Sequence, residues 1–463
     1  MFTKEIYTQR RNSLRSKMNQ GIALFLGNSD SSMNYPANIF RFRQDSSFLY
    51  FFGLDFPDLA AIIDFETGDE IIFGDDLTID DIIWTGQQPT VADRAQMVGV
   101  ERTLPFSKLE EYLTEAVRKG RKIHFTPPYR GEKKIQLEQL LGIRASVVRN
   151  YASTEFIKAI ISLRSVKEAC ELEQLEKAAN VGYQMHVKAM QMAKPGVCEQ
   201  TIAGTVEGIS LTHGGMVSFP VILSQNGQIL HNHDHSMILQ EGRLMVCDAG
   251  TESLLHYASD HTRTTPVGGK FSSQQKEIYR IVLDANNSAM AATKPGITYQ
   301  QVHLLACKVI ASGLVQLGLM KGNPDEIVSA GAHALFFPHG LGHMIGLDVH
   351  DMEDLGQSLV GYDQQTQPIN QFGTAYLRMG RKLEPGFCIT NEPGIYFIHD
   401  LIDLWKSEKK HESFINYSEV EKFRNFGGIR LEDMLVVTDD GCRIIGQRPP
   451  ITIEEVEAIA AKD

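Results

Sequence analysis

The feature that most restricts what this chain can fold into is a repeat with an offset of 100 residues. Ala189-Met190, then Lys194-Pro195-Gly196-Val197, recurs as Ala289-Met290, then Lys294-Pro295-Gly296-Ile297. Each copy reads as the end of a long helix with a Pro-Gly stop. Helix-termination chemistry alone could produce such a pair, but the matching Ala-Met upstream points to two halves of common origin. A duplicated α/β half builds its site where the halves meet, which directs attention to charged residues that interrupt apolar strands.

The densest run of candidate ligands is Phe337-Pro338-His339-Gly340-Leu341-Gly342-His343-Met344-Ile345-Gly346-Leu347-Asp348-Val349-His350-Asp351, with three histidines in twelve residues. A helix would set His339 and His343 on one face at i, i+4. The glycines between them disfavour a helix and favour a loop or strand whose backbone can approach a ligand closely. One such histidine is usually a satisfied core residue; three among glycines point to a site.

At 463 residues the chain has room for two or three domains. A formal charge of −12 argues against nucleic acid or an anionic membrane surface as a partner. Cys170, Cys198, Cys247, Cys307, Cys388 and Cys442 are scattered without a CxxC pair, as expected of reduced thiols in the cytoplasm. The start of the chain has no apolar signal region, and no segment offers about 18 uninterrupted apolar residues.

In chain order, residues 8–19 read as an amphipathic helix, followed by β-rich runs at 22–26, 48–52, 60–63 and 70–73. A helical pattern at 107–119 and a strand at 122–125 complete an α/β domain. A strong helical signal covers 153–193, capped at Ser153/Thr154, with a break near Leu163-Arg164 and a capping box from Ser165 to Glu168. The border therefore lies at about 155–165, giving domains over 1–158 and 159–463.

In the second domain, acids end apolar strands. Leu244-Met245-Val246-Cys247 runs into Asp248-Ala249-Gly250, and twelve residues after Asp248 comes Asp260. Residues 251–256 can turn a hairpin that brings both carboxylates together. Phe387-Cys388-Ile389-Thr390 ends in Asn391-Glu392-Pro393-Gly394. The run from Gly427 to Val437 puts Arg430 and Glu432 on one face of a strand at period two. Buried unpaired charge is expensive, so acids at such places need a cation partner. Taken singly, Asp248 could be an ordinary turn residue and Glu432 an ion-pair partner of Arg430. Together with His343, four carboxylates and one imidazole suit one or two divalent ions, Mn first, with Co or Zn as alternatives. Their charge favours two, about 3.5–4 Å apart and sharing a hydroxide.

At these residues the chain resembles the pita-bread metallopeptidases of the aminopeptidase P and prolidase branch. Asp248-Ala249-Gly250, Asp260 with Thr262-Arg263-Thr264, His339-Gly340-Leu341-Gly342-His343, Asn391-Glu392-Pro393-Gly394 and Gly428-Ile429-Arg430-Leu431-Glu432-Asp433 match the family's five ligand motifs in order. Residues 42–53 and Ile83-Trp84-Thr85-Gly86 resemble that branch's N-terminal domain. Three positions depart from its pattern. The gap from Asp248 to Asp260 is one residue longer, the turn Leu223-Ser224-Gln225-Asn226-Gly227 differs, and Val217 stands where a tyrosine is expected.

The resemblance implies an N-terminal mixed α/β domain before a C-terminal pita-bread domain, a duplicated α+β fold. It implies metal ligands Asp248, Asp260, His343, Glu392 and Glu432, with Glu392 also shuttling a proton. His231, His339 and His350 would line the substrate pocket, Arg378 would contact substrate beyond the proline, and Tyr396 and Arg430 would steer the acids. The implied reaction is hydrolysis of the bond between an N-terminal residue and a following proline, on peptides for an aminopeptidase P or on dipeptides for a prolidase. A homodimer or homotetramer is implied as well. The reading from another class is a pita-bread fold kept as a metal-free binding module, which should have lost ligands; all five are present here.

Overall fold

A computed structural model describes residues 1–462, and the chain divides into two compact units. The first takes in Met1–Arg164 and also Met352–Leu359; the second takes in Ser165–Asp351 and the chain from Val360 onward.

The first unit runs α1 (Lys4–Arg15), β1 (Ile22–Leu26), α2 (Ser46–Phe52), β2 (Ala60–Asp64), β3 (Glu70–Phe73), α3 (Ile79–Thr85), α4 (Val91–Met97), β4 (Arg102–Leu104), α5 (Lys108–Arg118), β5 (Ile123–His124), α6 (Gly131–Leu141) and α7 (Thr154–Arg164). Its mixed sheet has the order β4-β3-β2-β1-β5. Alternating residues give the sheet two apolar faces. Ile22, Leu24, Ile62, Ile71 and Phe73 pack with Leu109 and Leu113 of α5 and Leu137 of α6. Phe25 meets Phe51 of α2 and Phe156 of α7 at ring separations of 5.1 and 5.4 Å.

The run at 48–52 is a helix, not the strand that its apolar content suggests. Asp45 caps it by accepting from Phe48 N, and Gly53 ends it at φ +62°. Buried Arg10 and Arg11 donate to the carbonyls of Tyr50 and Phe51 in its last turn. A short apolar run without a polar stripe has no period to read, so these tertiary bonds decide its form.

The second unit continues with α8 (Ala169–Met192), α9 (Glu199–Thr212), β6 (Ile222–Ser224), β7 (Leu244–Ala249), β8 (His261–Pro266), α10 (Ser273–Ala292), α11 (Tyr299–Gln316), α12 (Pro324–Ala330), the end of α13 (Gln357–Val360, whose residues up to Leu359 belong to the first unit), β9 (Cys388–Asn391), β10 (Gly394–Tyr396), α14 (His399–Ser407), α15 (Tyr417–Val420), β11 (Gly428–Arg430), β12 (Asp433–Val437), β13 (Cys442–Ile444) and α16 (Ile453–Ala460). The helix break near residue 164 is present, although the capping box that opens α8 joins Glu168 to Glu171 rather than Ser165 to Glu168.

The repeat is structural. α8 and α10 end at Met192 and Ala292, Gly196 and Gly296 turn the chain at φ +86° and +89°, and α9 and α11 begin at Glu199 and Tyr299. The turn glycines bond alike, Gly196 N to Leu239 O and Gly296 N to Leu383 O. The first helix pair covers the sheet β6-β7-β8; in the second, α10 packs against β9, β10 and β11, and Tyr299 of α11 donates to Thr390 O of β9 at 2.6 Å. Among the described residues no helix is long and apolar enough to cross a membrane.

Candidate metal centre

The ladder of β7 and β8 pairs Asp248 with Thr262. Side chains alternate along a strand, so Asp248, Thr262 and Asp260, two residues before Thr262, share one face. The fold-back between the aspartates is present as read from the sequence.

His343 lies in a loop pressed along β9. Thr390 N donates to His343 O at 2.9 Å, and His343 N donates to Thr390 Oγ1 at 3.1 Å. A Cβ on Gly342 would stand 2.1 Å from Thr390 O, and one on Gly340 would stand 2.5 Å from Leu377 Cα. These glycines thus admit neighbouring backbone; no bound ligand is needed to account for them.

Glu392 follows β9, and Glu432 lies between β11 and β12. The single strand over 427–437 that the sequence suggests is therefore two, with the acid at the break. Arg430 and Glu432 are not paired there. Arg430 Nη2 donates to Asp248 Oδ2 at 2.6 Å, while Glu432 Oε2 accepts from Thr262 Oγ1 at 2.7 Å.

The acids and the imidazole converge. Asp260, His343 and Glu432, all buried, present ligand atoms within 4.8 Å of one another. His343 Nε2 is 3.4 Å from Asp260 Oδ2 and 3.6 Å from Glu392 Oε1. Its Nδ1–H donates to Met344 O at 3.0 Å, which leaves the Nε2 lone pair facing the acids.

Electrostatics mark the same point. Burial and the Asp248 charge push the Asp260 carboxyl well above its ordinary range. Burial and the charges of Asp260, Glu392 and Asp248 do the same to Glu432. Burial, helped by the charges of Asp260 and Asp248 and opposed by His343 and Arg430, raises Glu392 to about 7. Asp248 Oδ1 and Asp260 Oδ1 are buried and take no hydrogen bond from the described residues. Four carboxylates face one guanidinium, a formal excess of three negative charges. Each such ion buried without compensation costs several kcal/mol, roughly. Two divalent cations with one hydroxide would balance the excess. The donor set, one imidazole with carboxylate oxygens, fits hard divalent ions of the Mn type. The residues present therefore fit a two-metal group.

Around this cluster a relay runs Arg430 Nη1 to Tyr396 OH at 3.1 Å and Tyr396 OH to His339 Nε2 at 2.9 Å. His339 Nδ1 donates to Gly340 O at 2.8 Å, so both its ring nitrogens are engaged within the protein. Burial and the Arg430 charge hold His339 down to about 3, so the ring is neutral. The His350 ring packs 4.2 Å from that of His343. His231, exposed at the edge of the site, is held below its ordinary range by partial burial and by Arg430 and Arg378. Thr262 is the contact that reading the motif left without a role. Its place on the strand face of Asp260 is the signal that could have found it.

Two family models match the chain: metallopeptidase family M24 over residues 173–439 and the aminopeptidase P N-terminal domain over 7–124. The Xaa-Pro dipeptidase of Homo sapiens is 31% identical over 441 residues, 91% of this chain and 84% of its own. A probable Xaa-Pro aminopeptidase of Aspergillus niger is 30% identical over 431 residues, 91% of this chain and 88% of its own. Among solved structures, Zn-substituted Escherichia coli aminopeptidase P in complex with product matches with a TM-score of 0.82 at 28% identity, covering 100% of this chain and 99% of that one. With its duplicated helix-and-sheet halves and these matches, the chain belongs to metallopeptidase family M24, a pita-bread enzyme that follows an aminopeptidase P N-terminal domain in the sequence.

Proposed function

We propose that the chain is a dinuclear Xaa-Pro aminopeptidase, hydrolysing the bond between an N-terminal residue and a following proline. The observation that carries this reading is the convergence of Asp260, His343 and Glu432 on one buried point, with Glu392 beside them. Asp248 and Asp260 would hold one ion, and Asp260, Glu432, His343 and Glu392 the other, with Mn first and Co or Zn as alternatives. When bound, the ions lower the pKa of the attacking water and polarise the scissile carbonyl.

The chain's own residues do the rest. Glu392 takes a proton at its carboxylate and returns it to the proline nitrogen, which leaves as a secondary amine. A group held near 7 can both accept and give that proton. Arg430 holds Asp248 and, through Tyr396, keeps the neutral His339 in place. His231 and His350 face the substrate, and Arg378 lies toward the residue beyond the proline.

Arg378 also favours a second reading. Its charge reaches both His231 and His339, and such a cation suits the free carboxylate of an Xaa-Pro dipeptide, as a prolidase needs. Cleavage rates on Gly-Pro and on Gly-Pro-Xaa tripeptides decide between the two. Tripeptide cleavage with little dipeptide cleavage supports the aminopeptidase, and the reverse supports the prolidase. A chain that binds no Mn and cleaves neither would instead be a binding module.

None of the six cysteines forms a disulfide among the described residues, which supports a cytoplasmic place. Assembly into a homodimer or homotetramer is supported by α3, where Ile79, Ile83 and Trp84 are 71%, 70% and 86% exposed.

A further inference from the structure

We infer that Asn286, on α10, is a positioning residue that sets the separation of Glu392 and Glu432. The inference rests on the metal-centre reading above. The β9–β12 ladder ends at Asn391–Asp433, and the β10–β11 ladder begins at Gly394–Arg430, so the two acids stand in a gap between ladders. Pro393, inside that gap, has no N–H to donate.

One backbone bond, Leu431 N to Pro393 O at 3.2 Å, and one side-chain amide span the gap. Asn286 Nδ2 donates to Asn391 O and to Leu431 O, each at 3.2 Å. Those carbonyls belong to the residues immediately before Glu392 and Glu432. A peptide unit is planar, so holding the carbonyl of one residue also holds the N and Cα of the next. Asn286 thereby grips the two peptide planes from which the acids hang. The amide is itself held. Asn391 Nδ2 donates to Asn286 O at 3.0 Å, and Arg448 Nη2 donates to Asn286 Oδ1 at 2.9 Å. Asn286 and Asn391 are both fully buried. Metal and catalytic constellations tolerate only about 0.5 Å of drift, so an amide that spans both acids governs the site without touching substrate.

Metal-stripped Asn286→Ala and Asn286→Asp, titrated with Mn by calorimetry and then assayed, test the inference. The aspartate variant keeps the size and turns an acceptor toward two carbonyls. Both should bind Mn about 10–100-fold more weakly and lose kcat by a similar factor, with KM less affected. Asn287→Ala, on the exposed face next door, should bind Mn as the unmutated chain does. A purely structural Asn286 would lower the melting temperature and leave Mn affinity and kcat unchanged, and that result overturns the inference. If neither variant folds, Asn286→Ser, the smallest polar change, is read by the same criterion. No Mn binding by the unmutated chain would overturn the metal-centre reading and this inference with it; Mn binding unchanged by the variants would overturn this inference alone.

Discussion

Thr262 Oγ1 donates to Glu432 Oε2 at 2.7 Å and accepts from Arg430 Nε at 3.1 Å. A hydroxyl has one proton, so the acceptor role toward Arg430 and the donor role toward Glu432 follow from each other. Thr262 thus couples the carboxylate between β11 and β12 to the guanidinium that holds Asp248 on β7. Thr262→Val keeps the β-branched shape and removes this coupling. Mn affinity and kcat/KM should fall about 10–100-fold, while Thr262→Ser stays near the unmutated enzyme. Equal Mn affinities in the valine and serine variants would count against the role.

In the proposed reaction Glu392 holds the proton. Glu392→Ala should lower kcat by at least about 10²–10⁴-fold in steady-state assays on an Xaa-Pro peptide. An unchanged kcat would sink the mechanism.

The histidines of the 337–351 run should separate by experiment. His343→Ala removes a nitrogen that faces two acids, and metal analysis should find the variant depleted. His339→Ala removes the end of the Arg430–Tyr396 relay, so it should retain metal and lose kcat by roughly 10–100-fold. Metal loss in both variants to the same degree would refute the division.

Metal and protons should compete. Asp260, Glu392 and Glu432 are all pushed above their ordinary range, Glu392 to about 7, and each must lose its proton to hold a cation. Mn affinity of metal-stripped protein should therefore fall as pH drops through about 7, with protons released on binding. Calorimetry in buffers of different ionisation enthalpy measures that release. A raised folded pKa contributes stability below the ordinary value of 4.5 that is lost as pH rises through about 7. Metal-stripped protein should melt lower at about pH 8 than at about pH 6, and Mn should raise the melting temperature more at the higher pH.

Helix α3 tests the assembly. It has seven residues, none of them buried, and helices shorter than about 12–15 residues are marginal alone in water. Ile83→Glu with Trp84→Ala should shift light-scattering mass toward the monomer. A monomeric unmutated chain would remove the oligomer reading.

The sequence by itself determined the candidate ligand types, their order and the duplicated frame. Acids that end apolar strands are costly in any fold, and the 100-residue repeat of helix, Pro-Gly turn and helix is written in local chemistry. Asp248 and Asp260 could even be placed together, because strand alternation and hairpin closure are local rules. What only the tertiary structure decided has contacts distant in sequence. The run at 48–52 became a helix when buried Arg10 and Arg11 met its last carbonyls. The strand over 427–437 broke at Glu432, where pairing with β9 gives way to pairing with β10. Arg430 chose Asp248, 182 residues away, over its neighbour Glu432. Asn286 entered the site through carbonyls 105 and 145 residues distant. No periodicity records such pairings, because they depend on which carbonyl or carboxylate the folded chain leaves within reach of a donor.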